Sequence, residues 1–287
     1  YLKGHGVPAD PEKAIEFLQI MKKNGDSDAA LSIGLIYEHG TAGINKDLNQ
    51  AAKHYLDAAK AGIAEAEMAI GLFYFQGVGV GQDKAEAYRW IKRAANKDHP
   101  SALKYLGRLY LQGIPSLNIE PNRDKAWVYL KKAADLGEAE AKADIAWMYH
   151  RAQSDRSALK YARASAETGI PDGQALLGYL LITGSGVQQN SAQGIDWLEE
   201  AAESGSALGL GYLGQAYLQG VGVPKDVPRS RELFERAFRA GHSESAAYIG
   251  MFYEYGAENE VDLPRAYAYY DYAARHGSQY GESMRKK

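Results

Sequence analysis

Residues 75 to 84 read FQGVGVGQDK, alternating glycines that close on a lysine. Glycines let backbone N–H groups converge and a lysine adds a cation, so the stretch has the ingredients of a phosphate-cradling loop. Its spacing argues against that use, because GxxxxGK[ST] is incomplete and no strand pattern precedes it. Equivalents recur as KGHGV, TGSGV and QGVGV, and a nucleotide site is not copied at every turn of an array. The histidines His5, His39, His54, His99, His150, His242 and His276 form no HExxH or comparable ligand cluster. No GxSxG elbow is present, and GSG at 184–186 falls in the same linker position as the glycines of FQGVGVGQDK. The absence of cysteine excludes disulfides, thiolate nucleophiles and thiolate metal sites, and leaves the redox compartment open. Carboxylates are abundant but read as helix caps and solvated faces, and nothing points to an acid/base pair. These residue types predict no catalysis, no metal and no cofactor.

Composition narrows the remaining classes. The chain of 287 residues is 46% hydrophobic and 24% charged, a globular balance. A formal charge of −3 gives no electrostatic footprint for nucleic acid or an anionic membrane. No apolar run approaches the roughly 20 residues a spanning helix needs, so direct membrane insertion is not expected. The first residue is Tyr1, so the sequence is silent about any leader.

The elements that position these residues come from an internal repeat. A small residue stands three before a tyrosine slot at Gly34/Tyr37, Gly71/Tyr74, Gly107/Tyr110, Ala146/Tyr149, Gly178/Leu181, Gly214/Tyr217 and Gly250/Tyr253. The slots are 37, 36, 39, 32, 36 and 36 residues apart. A second half follows with a small residue, a large one three later and a small pair four after that, as in Ala87, Trp90 and Ala94-Ala95. Steps of three and four share one helical face, so each unit is two amphipathic helices. Asp10, Asp47, Asp83, Asn122, Asn190, Asp226 and Asp262 stand where N-caps of the second helix are needed. Pro11, Pro228 and Pro264 fall inside the first turn after such caps. Gly25, Gly62, Gly137, Gly169, Gly205, Gly241 and Gly277 close the units, with Asp98 in the remaining copy. A lone pair cannot bury its seam, so neighbours must stack.

The pattern Leu-Gly-x-x-Tyr-x-x-Gly-x-Gly-Val-x-x-Asp-x-x-x-Ala-x-x-Trp-x-x-x-Ala-Ala-x-x-Gly resembles the Sel-1-like repeat, a relative of the tetratricopeptide repeat with a longer loop. The resemblance implies an all-α fold, an α/α superhelical solenoid of stacked antiparallel helix pairs. It spans 1–287 as a single array: a partial unit 1–25, full units 26–62, 63–98, 99–137, 138–169, 170–205, 206–241 and 242–277, and the start of another at 278–287. Tyr1, Gly4, Gly6 and Val7 fit the back part of the first, and both ends lie inside repeats, as in a fragment of a longer protein. The unit containing HRAQSDRSALKYARAS is short and lacks GxGV, whereas the one before it has a lengthened loop, LQGIPSLNIEPNRDKA. Adjacent long and short loops are expected to alter local twist or form a lip, or simply to be tolerated at a surface.

Resemblance further implies that the first helix of each unit lines an inner face that holds partner proteins or peptides. The residues carried over to that face include Leu35, Leu72, Phe75, Arg108, Trp147, His150, Arg151, Tyr179, Met251 and Tyr255, aromatic, Met and Arg types suited to anchoring. Trp147 and Tyr179, large rings in adjacent units, are the expected centre. The same rows carry Asp28, Glu38, Glu65, Glu140, Asp172, Glu244 and Glu254 against Lys104, Arg108 and Arg151, which favours a basic peptide. The expected function is a non-catalytic adaptor in bacterial envelope assembly, signalling or host interaction, with a periplasmic or secreted location favoured over the cytoplasm. A glycan or small-ligand module stacking on Trp147, Tyr179 and Tyr255 is the alternative.

Overall fold

The computed structural model describes residues 10–41, 43–256 and 261–286. Tyr1, Gly4, His5, Gly6 and Val7, named above, lie outside them. Contacts divide the chain into two compact units, Tyr1–Glu138 and Ala139–Lys287. The first contains α1 (Pro11–Lys23), α2 (Ser27–His39), α3 (Leu48–Lys60), α4 (Ala64–Gln76), α5 (Lys84–Asn96), α6 (Pro100–Gln112) and α7 (Arg123–Asp135). The second contains α8 (Ala139–Arg151), α9 (Asp155–Ala166), α10 (Pro171–Thr183), α11 (Ser191–Glu203), α12 (Ala207–Gln219), α13 (Val227–Arg239), α14 (Ser243–Tyr255), α15 (Leu263–Arg275) and α16 (Gln279–Arg285). Among the described residues there is no β-strand, only isolated bridges at Thr41–Ile44 and Ile114–Ile119. Each unit is a stack of antiparallel helix pairs, the solenoid class expected from the repeat.

Helix length is set by caps. All seven expected N-cap side chains accept a backbone N–H of the following first turn; Asp83, for example, takes those of Ala85 at 2.9 Å and Glu86 at 3.0 Å. The closing position has positive φ in every copy, including Asp98 at 62°. The same cap residue also ties the loop down. Its backbone N–H donates to the carbonyl of the tyrosine slot from Asp47, Asp83, Asn122, Ser154, Asn190, Asp226 and Asp262, at 2.7 to 3.0 Å. Loop length varies between these two fixed points without disturbing either helix. The short loop keeps its bond from Ser154 to Tyr149, and the long one folds inward by burying Ile114.

Packing within a pair has two layers. The residue three after the small position stacks on the tyrosine slot, as in Tyr37–His54 at 5.9 Å, Tyr110–Tyr129 at 5.6 Å, Tyr149–Tyr161 at 5.7 Å and Tyr253–Tyr269 at 5.8 Å. The residue four after it fills the glycine slot. Tyr55, Ile91, Leu130, Leu198, Phe234 and Tyr270 lie over Gly34, Gly71, Gly107, Gly178, Gly214 and Gly250, so near that an added Cβ would meet them at 2.6 to 3.3 Å. The large residue three along is therefore the stacking partner, and the residue after it is the filler. In the divergent unit Ala146 replaces the glycine and the filler shrinks to Ala162, both fully buried. One methyl gained is offset by a smaller side chain opposite.

Second glycines of the GxG loops have a different cause. A Cβ on Gly79 would fall 2.1 Å from the carbonyl oxygen of Leu48, at the start of α3. The joint is thus seated on the preceding second helix, with Val78 and Val80 packed against the core of Ala52, Tyr55 and Phe73. FQGVGVGQDK is a close backbone contact, and its lysine begins α5.

Candidate functional site

In the second unit, α10 packs against both α8 and α12. That places one turn of each first helix side by side, and their rings meet. Trp147 stacks on Tyr212 at 6.3 Å and 18°, and meets His150 edge-on at 5.7 Å. Tyr179 lies 5.3 Å from His150 and 4.8 Å from Tyr212. His242, at the entry to α14, approaches Tyr212 edge-on at 6.5 Å. A Cβ on Gly211 would meet this imidazole at 2.6 Å, so the absence of a side chain there makes room for it.

The cluster is half-buried, and Trp147 and Tyr179 each lie against neighbouring rings. Burial raises the Tyr212 phenol pKa, followed by the fields of Tyr179 and Glu244. Burial also lowers the His242 pKa and raises that of Glu244. Tyr248 is pushed up to about 12 by burial, and its hydroxyl accepts a hydrogen bond from Gln215 Nε2 at 3.0 Å. The Trp147 indole N–H is buried with no acceptor. At the rim, His150 Nδ1 is 3.4 Å from Asp155 Oδ1 and Arg151 is exposed.

The other expected residues are spread out. Leu35 on α2 is 44% exposed, while Leu72 and Phe75 on α4 and Arg108 on α6 are half-buried. Met251 is half-buried beside Phe234 and Phe252, whereas Tyr255 at the end of α14 is 69% exposed. Tyr212, Tyr248 and His242 were absent from the sequence-derived face. Tyr212 and Tyr248 both stand two before the glycine slot in consecutive repeats, a coincidence that marks the position.

Charge on the first helices is more committed than the sequence count implies. Glu38 accepts from Tyr55 Oη, Glu254 from Tyr270 Oη at 2.6 Å, and Asp172 from Ser206 Oγ at 3.2 Å. Lys104 is buried and donates to Glu138 Oε1 at 2.9 Å. These three carboxylates keep their charge but each already has a hydrogen-bond partner within the chain.

Among the described residues no group of three or more His, Cys, Asp or Glu side chains is placed to hold a metal, and no helix is long and apolar enough to cross a membrane. The geometry supplies a preorganised aromatic surface with an arginine at its edge.

Comparison with known proteins follows the same lines. The Sel1 repeat pattern matches residues 1–26, 27–63, 64–99, 100–138, 171–206, 207–242 and 243–278. It passes over α8 and α9, which fold as a pair all the same. A protective antigen of uropathogenic Escherichia coli, described as displaying an SLR fold, superposes with a TM-score of 0.68 at 26% identity, covering 99% of this chain and 61% of that one. A Sel1 repeat protein from Oxalobacter formigenes gives 0.60 at 30% identity, covering 96% and 80%. Chitin synthase regulatory factor 1 of Schizosaccharomyces pombe is 31% identical over 132 residues, 45% of this chain and 29% of that protein. The chain spans less than half the length of the curated relatives it matches.

Proposed function

The chain belongs to the Sel1 repeat family, and from that premise we propose that it is a non-catalytic scaffold whose first helices hold partner proteins. The observation that carries this reading is the cluster of Trp147, His150, Tyr179 and Tyr212 with exposed Arg151 at its rim. Trp, Tyr and Arg dominate binding energy at protein interfaces, and rings already fixed by neighbours lose little side-chain entropy on binding. A sugar platform is less well supported. Stacking on a sugar needs an open ring face; Trp147 and Tyr179 both lie against Tyr212, which leaves Tyr255, 69% exposed, as the one open ring of the three.

The proposal extends to a single array over 1–287 and to bacterial envelope assembly, signalling or host interaction. Its support there is the kind of protein the chain is similar to: a yeast regulatory factor, which bears on signalling, and a protective antigen of uropathogenic Escherichia coli, which bears on a bacterial role in host interaction. The test is affinity capture with the intact chain, Arg151→Glu, Trp147→Ala/Tyr179→Ala and a control, Arg239→Glu, each checked for helical content. A partner held by wild type and control should be lost from both cluster variants, about 2 kcal/mol or thirty-fold in Kd per anchor. Equal capture by properly folded cluster variants refutes the assignment of this face.

A further inference from the structure

A cavity of about 540 Å³ opens in the first unit among α1, α2 and α3. Three lysines line it, Lys22 and Lys23 from the last turn of α1 and Lys53 from α3. Tyr37 and His54 form part of its wall as a stacked pair, 5.9 Å apart at 12°. Lys22 is paired with Asp57. Among the described residues, Lys23 and Lys53 have no carboxylate partner. His54 is 9% exposed, and its Nδ1 is buried with no hydrogen-bond partner.

Cations in the last turn of a helix are favoured by the helix dipole, which accounts for Lys22 and Lys23 without any ligand. It does not account for Lys53, five residues into α3, which brings a further cation to the same wall. Burial lowers the proton affinity of His54, with Lys22 and Lys53 acting in the same direction and Asp57 against them, so the ring lies within the field of these cations. The volume is in the range of small-molecule sites, roughly 300 to 1,000 Å³.

We propose that this cavity binds the carboxylate or phosphate group of a small organic anion, with Lys23 and Lys53 supplying the charge. The Tyr37–His54 stack is the wall against which the carbon frame lies. This site is independent of the aromatic cluster and draws on none of its residues.

Isothermal titration of the full chain with citrate and, separately, inorganic pyrophosphate, at ionic strength matched with chloride, tests the proposal. At least one anion should bind saturably at one site, and Lys23→Gln/Lys53→Gln should weaken it tenfold or more. Lys84→Gln on α5 should leave it unchanged. Binding of citrate alone identifies a carboxylate site, and of pyrophosphate alone a phosphate site. Failure of both anions to bind saturably, or equal binding by the folded double lysine variant, overturns the proposal. So does a hexaglutamate peptide that binds where neither small anion does, since that marks a peptide surface.

Discussion

Glycine slots that look identical in sequence differ in what an added methyl would meet, and Gly178→Ala and Gly214→Ala should therefore change stability in opposite directions. Both glycines lie within 13-residue helices, α10 and α12. Replacing glycine by alanine in a helix interior gains about 1 kcal/mol from propensity alone. At Gly178 the new Cβ would stand 2.7 Å from the backbone oxygen of Gly194 and 2.8 Å from Leu198 Cγ. Relief requires α10 and α11 to separate, since the carbonyl cannot turn without losing its helical hydrogen bond, and overpacking of this kind costs about 1 to 3 kcal/mol, more where backbone must move. At Gly214 the three nearest atoms are ring carbons of Phe234, each at 3.3 Å. A ring shift of a few tenths of an ångström suffices there. Gly178→Ala should be destabilising by about 1 to 2 kcal/mol net, and Gly214→Ala should be neutral or stabilising by up to about 1 kcal/mol. Urea unfolding followed by far-UV circular dichroism reads the difference as a shift in midpoint at unchanged m. Equal effects of the same sign would refute the claim that backbone contact, and not repeat position, decides the cost.

Three further outcomes follow from individual residues. Asp226→Ala deletes a cap that accepts the Arg229 N–H at 2.9 Å and should cost about 1 kcal/mol in the same unfolding assay. Asp98→Gly relieves a left-handed backbone, φ 62°, but breaks the half-exposed pair with Lys132, worth at most about 1 kcal/mol. The substitution should stabilise by up to about 1 kcal/mol, and by more in 0.5 M NaCl than in low salt, because the lost pair is then already screened. For His242, burial lowers the folded pKa below the ordinary 6.5, so the unfolded chain binds its proton first as pH falls. Its stabilising contribution is complete above pH 6.5 and declines as pH drops toward the folded value, with a slope of at most about 1.4 kcal/mol per pH unit. His242→Gln should flatten this part of the stability profile from pH 7 to 5.5, whereas Glu244, whose pKa is raised, acts with the opposite sign above its ordinary 4.5.

Helix pairing, caps and closing turns were legible in the sequence because each depends on residues within a few positions of one another. Asp98 shows how far this reaches, since repeat position alone predicted a left-handed backbone at a residue that is not glycine. Which side chain fills the glycine slot was not legible. Positions three and four after the small residue share a helical face, so periodicity cannot tell Trp90, the outer layer, from Ile91, which lies over Gly71. The ring cluster was half legible for a related reason. Trp147, His150 and Tyr179 follow from counting along the first helices, but their contact with Tyr212 depends on how close α10 stands to α8 and α12, which no local rule fixes.

Ties between neighbouring pairs follow a spacing close to the repeat length, as in Lys97 to Glu67 at 2.9 Å, Lys104 to Glu138 at 2.9 Å, Ser206 to Asp172 at 3.2 Å and Gln215 to Tyr248 at 3.0 Å. The residues making them differ from joint to joint, so the stack is held by recurring geometry and not by one conserved chemical pair. Such an arrangement makes stability a sum of local terms, each loop being pinned by its own cap-to-tyrosine bond. On the proposed scaffold role, candidate recognition residues are those left over once the ties and fillers are subtracted. Glu38, Asp172 and Glu254 are spent on Tyr55, Ser206 and Tyr270, and Lys104 on Glu138. Leu35, Arg151 and Tyr255 remain exposed on the first helices, and Arg151 lies close enough to the ring cluster for its charge to act on Tyr212. A partner that pairs with Arg151 and covers Trp147 and Tyr179 would therefore find the anchor side of its interface ordered before it arrives, which is why charge reversal at Arg151 is the sharper probe of the scaffold reading than truncation of either ring.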